Sequence, residues 1–168
     1  DRSIGYSAWA DEVSCSSDST AVNCGLTING DDTATINANI TLGSSDAALY
    51  LNSNNNTINM TGDIITSGTS VEGIQFSGAA DSNAITLNGD ITTTCASGSG
   101  SNCFGINIGG DSNTLTMTGD VSAAGSTARG LWVSGDSNTV SLTGDITSSN
   151  DSGILFYGDN NTLSLIHI

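Results

Sequence analysis

The sequence contains no proline and no lysine, and it has only two arginines (Arg2 and Arg129), one histidine (His167) and two glutamates (Glu12 and Glu72) in 168 residues. Each shortage excludes something. The polar residues that favour helices are nearly absent. The Asp, Asn, Ser, Thr and Gly that replace them compete with the helical backbone or loosen it, so helices are disfavoured. Two arginines cannot supply the basic surface that phosphate binding needs, which excludes nucleic acid and anionic membranes as partners. The lone histidine lies near the end of the chain and leaves no Ser-His-Asp constellation. No run of about 18 apolar residues is present, so no segment reads as a membrane-spanning helix. What is abundant is acid: the formal net charge is -15, and hydrophobic residues make up only 36 % of the chain.

The four cysteines form two local pairs, Cys15 with Cys24 and Cys95 with Cys103. Neither pair has the CxxC spacing of a zinc site, and no histidine accompanies them. Two disulfides closing short loops are expected, which implies an oxidising compartment. Four unlinked thiols are the alternative.

Internal repetition is the dominant feature. NTINMTGDI begins at Asn56, NAITLNGDI at Asn83, NTLTMTGDV at Asn113, NTVSLTGDI at Asn138 and a truncated NTLSL at Asn161, with a degenerate copy, DTATINANI, at Asp32. Successive starts lie 24, 27, 30, 25 and 23 residues apart. A second block follows within each unit: GIQF at Gly73, GINI at Gly105, GLWV at Gly130 and GILF at Gly153, with ALYL at Ala48 as the first equivalent. Most of the length variation falls between the two blocks, and the longest such segment, Thr92 to Phe104, contains Cys95 and Cys103.

Inside each block apolar and polar residues alternate, as in Ile58 and Met60 between Thr57, Asn59 and Thr61, which is the period of a half-buried strand. Ile64, Ile91, Val121 and Ile146 add one apolar position after each Gly-Asp turn. A unit of two or three short strands cannot bury its apolar side alone, whereas stacked units can, each strand pairing with its equivalent at about 4.8 Å. The expected fold is therefore all-β: a right-handed, single-stranded parallel β-helix of about five to six coils, 23–30 residues each. The return of one residue type to one slot argues against the competing antiparallel sandwich.

The turns are expected to stack as well. Asp63, Asp90, Asp120 and Asp145 form one column after their glycines, and Asp81, Asp111, Asp136 and Asp159 a second. Gly supplies positive φ, and Asp and Asn bond their own backbone in Asx turns. Asn56, Asn83, Asn113, Asn138 and Asn161 are expected to form a ladder of side-chain amides from coil to coil.

The GDSNT-x-T/S-x-TGDI-loop-GI pattern resembles the β-helical passenger domains of bacterial autotransporters, over about residues 25 to 162. The resemblance implies a fragment of an exported, non-enzymatic protein on the bacterial surface, a stalk or adhesin. Its partner would be a glycan or protein ligand on a host or environmental surface, and a downstream β-barrel translocator would follow in the full-length gene. An early cysteine pair, here Cys15 and Cys24, fits the start of such a passenger. Residues 1–24 are read as an N-terminal segment, a signal-peptide remnant (Ala8-Trp9-Ala10 before Asp11) with a disulfide-closed cap. Residues 163–168 are read as a non-native tail, because one legitimate codon choice for them spells the start of a transposase adapter used in sequencing libraries. The edge of the last coil is expected to fray or self-associate.

Other chemistry is weaker. Asp63, Asp90, Asp120 and Asp145 are candidate calcium ligands, since carboxylates suit that ion. Stacked carboxylates repel by only about 1 kcal/mol in water, which a turn hydrogen bond offsets without any metal. No cofactor is expected. A polysaccharide-active enzyme is an alternative, but hydrolysis needs two distinguishable carboxylates, and here carboxylates repeat everywhere. Arg129, the one internal base for a lyase, reads as a solvated loop residue. Thr114, Thr116 and Thr118 with Thr139, Ser141 and Thr143 form T-x-T rows on an outward face, resembling insect-type antifreeze β-helices. An ice-binding module is thus a further alternative, although β-branched residues also simply stabilise strands. Phe76, Phe104, Trp132 and Phe156 are read as packing residues and Tyr157 as outward-facing.

Overall fold

The computed structural model describes residues 21–22, 25–28, 30, 33–43, 46–96 and 102–167. The pair Cys15 and Cys24, the N-terminal segment read as a cap, and Asp32 lie outside the described residues.

Within them the chain forms strands and no helix. The strands come in triplets, one per coil. The first coil holds β1 (Ala21–Val22), β2 (Leu26–Ile28) and β3 (Thr33–Asn37), and the second β4 (Asn39–Leu42), β5 (Ala47–Leu51) and β6 (Thr57–Thr61). The third holds β7 (Ile64–Gly68), β8 (Val71–Phe76) and β9 (Ala84–Asn88), and the fourth β10 (Ile91–Cys95), β11 (Cys103–Ile108) and β12 (Thr114–Thr118). The fifth holds β13 (Val121–Ala124), β14 (Ala128–Val133) and β15 (Thr139–Thr143), and the sixth β16 (Ile146–Ser148), β17 (Ile154–Phe156) and β18 (Thr162–Ile166). Every third strand pairs in parallel, giving three six-stranded sheets wound into a β-solenoid of about five turns. The first sheet runs from β1 to β16, the second from β2 to β17 and the third from β3 to β18.

The register follows the repeat. Ile58, Ile85, Leu115 and Val140 stack in one column, and Met60, Leu87, Met117 and Leu142 in the next. All are buried, as are Ile64, Ile91 and Val121 in the first sheet and Leu49, Ile74, Ile106 and Leu131 in the second. Each such side chain contributes roughly 1.5–3 kcal/mol on burial. The single apolar position expected after each Gly-Asp turn opens a third strand of its own. At the far end the columns lose cover: Leu163 and Leu165 of β18 are 37 % and 44 % exposed, against 0 % and 1 % for Leu115 and Met117.

The Gly-Asp turns show why glycine is required there. Gly89, Gly119 and Gly144 have φ of +156°, +138° and +144°, and a Cβ on any of them would lie within 2.2 Å of the carbonyl oxygen of the equivalent glycine one coil back. A second left-handed column was not foreseen. Ser82, Ser112 and Ser137, with Asn55 and Asn160, have φ of 57–60°. Each serine costs about 1 kcal/mol or more in that conformation. Its N–H is used, however, donating to the backbone oxygen of the next coil's Asp111, Asp136 or Asp159.

The residue after each left-handed position is the ladder asparagine. Asn56 N–H and Nδ2 both donate to Asn83 Oδ1 at 2.8 Å. Asn83 N–H then donates to Asn113 Oδ1, Asn113 N–H to Asn138 Oδ1 and Asn138 N–H to Asn161 Oδ1, at 2.7–2.9 Å. The constant bond is thus from backbone to side chain. The amide-to-amide bond that the sequence suggested recurs only between Asn83 Nδ2 and Asn113 Oδ1, at 3.1 Å. Asn56, Asn83, Asn113 and Asn138 are at most 1 % exposed.

The aspartates also bond from coil to coil and not within their own turns. Asp90 N–H donates to Asp63 Oδ1, Asp120 N–H to Asp90 Oδ1 and Asp145 N–H to Asp120 Oδ1, at 2.8–3.0 Å. The second column repeats this through Asp81, Asp111, Asp136 and Asp159. Neutral residues head both columns, Asn39 accepting from Asp63 N–H and Asn54 from Asp81 N–H.

Burial separates the two kinds of ladder. Asn83→Ala strands the buried Asn56 N–H without an acceptor and should cost about 2–3 kcal/mol. Asp90→Ala frees an N–H that water can reach and should cost under about 1 kcal/mol. Urea denaturation of the two variants checks this ordering, and equal losses would contradict it.

Candidate functional site

The sequence singled out three groups, and each has a definite place. Thr114, Thr116 and Thr118 project outward from β12, in register with Thr139, Ser141 and Thr143 of β15. The same outward face of the third sheet continues over all six strands. One column reads Thr33, Thr57, Ala84, Thr114, Thr139 and Thr162, and its neighbour Thr35, Asn59, Thr86, Thr116, Ser141 and Ser164. No register break interrupts these strands, so the face is a lattice of small hydroxyl and amide groups.

The aspartates Asp63, Asp90, Asp120 and Asp145 are brought together as a column. The first three each commit one carboxylate oxygen to the next backbone N–H, and Asp145 pairs with His167 Nδ1. Among the described residues no group of three or more His, Cys, Asp or Glu is arranged to hold a metal ion. Cys95 and Cys103 form a disulfide with Cα atoms 6.0 Å apart, joining the end of β10 to the start of β11. It pins the base of the longest connection, as their spacing suggested.

A fourth group emerges only from the fold: the outward face of the second sheet. Leu131 and Val133 point into the core, so Trp132 between them points out. In its column lie Tyr50, Gln75 and Asn107, with Leu155 beyond. A parallel column contains Glu72, Phe104 and Arg129. Phe104 meets Trp132 edge-on at 4.9 Å between ring centroids, and Trp132 is followed by Tyr157 at 5.4 Å.

Arg129 is therefore no solvated loop residue. It lies in β14, half-buried between the buried Ala128 and Gly130. Its guanidinium sits 4.3 Å from the Trp132 ring centre and 5.6 Å from that of Phe104, and ion-pairs with Asp151 at 2.8 Å. Such a stack favours a planar, weakly hydrated cation. The Ser152 N–H first, and the Arg129 charge after it, hold the Asp151 carboxyl below its ordinary range. Phe104 and Trp132, read from sequence as packing residues, are packed from outside the barrel; Phe76 alone of the four is fully within it, with Phe156 against it.

Glu72 is the anomalous group of this face. Its Oε1 accepts from Asn107 Nδ2 at 3.1 Å, while Oε2 is buried with no hydrogen-bond partner. Burial pushes its carboxyl from 4.5 up to about 7, the Asn107 bond opposing that and the Asp46 charge adding to it. Strict alternation could have placed Trp132 on the surface. The repeat puts Glu72, Phe104 and Arg129 in one slot before the glycine of the second block, but alternation alone does not show that this slot faces outward, because its phase changes at that glycine.

No family model, curated protein or solved structure matches this chain.

A carboxyl whose folded-state pKa is raised keeps its proton where the unfolded chain releases it. Its stabilising effect is full below about 4.5 and is lost as pH rises through about 7. Glu72→Gln keeps an acceptor for Asn107 and removes the titration. The variant should match the parent at pH 4 and exceed it at pH 8 by on the order of 2 kcal/mol. Thermal unfolding at both pH values measures the difference, and a gap independent of pH would refute the assignment.

Proposed function

We propose that this chain is part of a non-enzymatic extracellular β-solenoid, a stalk or adhesin segment of the autotransporter-passenger kind. The observation that carries this reading is the use to which the repeated residues are put. The asparagines hold one coil to the next, the aspartates do the same at the turns, and the apolar columns fill the interior. The carboxylates that recur most are thus engaged with the backbone of the neighbouring coil at the turns. What the rod offers its surroundings is long, regular faces, and a stalk or a binding surface needs no more than these. The Cys95–Cys103 disulfide supports an oxidising, extracytoplasmic setting. An antibody against residues 25–162 should label intact cells of the source organism, and protease added outside the cells should remove the label. Labelling confined to permeabilised cells would refute surface display.

The threonine face favours a second reading, an ice-binding module. Its hydroxyls recur about every 6.8 Å along a strand and about every 4.8 Å between coils. On this reading the protein shapes growing ice and shows thermal hysteresis, and Thr116→Tyr, which breaks the flat lattice at its centre, abolishes both. Ice growth unaffected by the parent protein would remove this alternative.

A further inference from the structure

Among the described residues the outward strip of the second sheet differs from the core columns, the turns and the threonine face. The core columns, the turns and the threonine face repeat one residue type, whereas this strip reads Tyr50, Gln75, Asn107 and Trp132 along one line, with Tyr157 beside its end. From Tyr50 to Trp132 is three coil steps, about 14 Å at about 4.8 Å each. Two aromatic rings thus bracket two planar amides in a row parallel to the solenoid axis.

We propose that this strip binds a neutral glycan lying along the solenoid axis. The inference rests on reading the chain as a binding solenoid and not on where the solenoid is displayed. Three features select this occupant. The chain carries a net charge of -15, and Arg129, the one arginine among the described residues, is already ion-paired with Asp151, so a polyanion finds repulsion and no free guanidinium among the described residues. The strip residues themselves are uncharged, so a polycation would be drawn to the aspartate columns instead. Tyr157, at 66 % exposure, is the only large apolar side chain of the strip that is widely exposed. One such side chain does not supply the apolar centre of a stable protein interface, which buries roughly 800 Å² per partner.

A sugar ring needs much less. Its C–H face rests on an aromatic ring, whose body is apolar and whose edge is polar. Its hydroxyls match side-chain amides, which both donate and accept. Gln75 has no side-chain partner among the described residues, and Asn107 uses one amide hydrogen on Glu72. Both retain hydrogen-bonding capacity. The Trp132 ring is held in place by Arg129 and Phe104, so little ordering remains to be done on binding.

The experiment is a fluorescence and calorimetric titration of the folded chain with linear hexasaccharides of glucose, N-acetylglucosamine, mannose and xylose, with an oligogalacturonate as the anionic arm. At least one neutral hexasaccharide should bind and shift the tryptophan emission, and the oligogalacturonate should not. Trp132→Ala and Tyr157→Ala should each weaken binding about tenfold. Thr92→Ala, on the outward face of the first sheet, should leave it unchanged. Tyr157→Ala guards against misfolding of the Trp132 variant, because the Tyr157 ring is mostly in solvent, and circular dichroism confirms the fold of each. The proposal is overturned if the folded parent binds none of the neutral set, if it binds the anionic oligomer equally well, or if Tyr157→Ala binds as the parent does. In those cases continued labelling of intact cells would leave the surface-solenoid reading standing. Loss of surface labelling with retained sugar binding would remove that reading and keep this site.

Discussion

The buried asparagine column is the constraint on which the solenoid depends. Each coil turns at a left-handed residue and places the next amide in the interior, where its oxygen accepts the backbone N–H of the coil before. Inside the protein this bond has no competitor in water, so the equivalent residues must align or leave a polar group unsatisfied. Alignment in turn fixes which side chains face inward. A slip of one residue in a strand would send every Ile and Leu of that rung to the surface. A chain with 36 % hydrophobic residues can therefore close its interior, because most of its apolar side chains fall on one another, with Thr66 and Thr93 buried in line with Leu42 and Ala123.

The aspartate columns have the same geometry at the surface and a different weight. Their carboxylates bond backbone N–H groups that solvent could also reach, and neighbouring carboxylates repel across about one strand spacing. They shape the turns more than they hold them. In the first column the glycine before each aspartate is the stricter requirement, since its missing Cβ lets one coil's carbonyl oxygen approach the next coil's backbone.

Much of this was legible in the sequence, and the reason is repetition. Asn56, Asn83, Asn113 and Asn138 announced a column, and Ile58, Ile85, Leu115 and Val140 a core, because a stacked fold turns identity in sequence into adjacency in space. The first coil is harder to read: Leu26 and Ile28 stack under Leu49 and Leu51, so GLTI at Gly25 is a copy of the second block ahead of ALYL, but no Gly-Asp turn precedes it to mark it. Bonds between coils were misjudged where a local alternative existed, as with the aspartates, whose cross-coil acceptors look from sequence like Asx turns. The second sheet's outward strip was least legible. Trp132 could be placed outside by alternation, but its meeting with Phe104, Arg129 and Tyr157 joins residues from three coils, none of which repeats. Repetition shows the scaffold, and Glu72 departs from it, sitting where its neighbours are Ala47 and Phe104.

The two kinds of ladder also differ in sense. Asparagine backbones donate toward the following coil, whereas aspartate backbones donate toward the preceding one. The rod is consequently vectorial: its two ends present unlike sets of donors and acceptors. Any coil that extends these ladders must arrive with the same polarity. Two copies cannot satisfy them by meeting end to end about a two-fold axis, and lengthening by this means is open-ended.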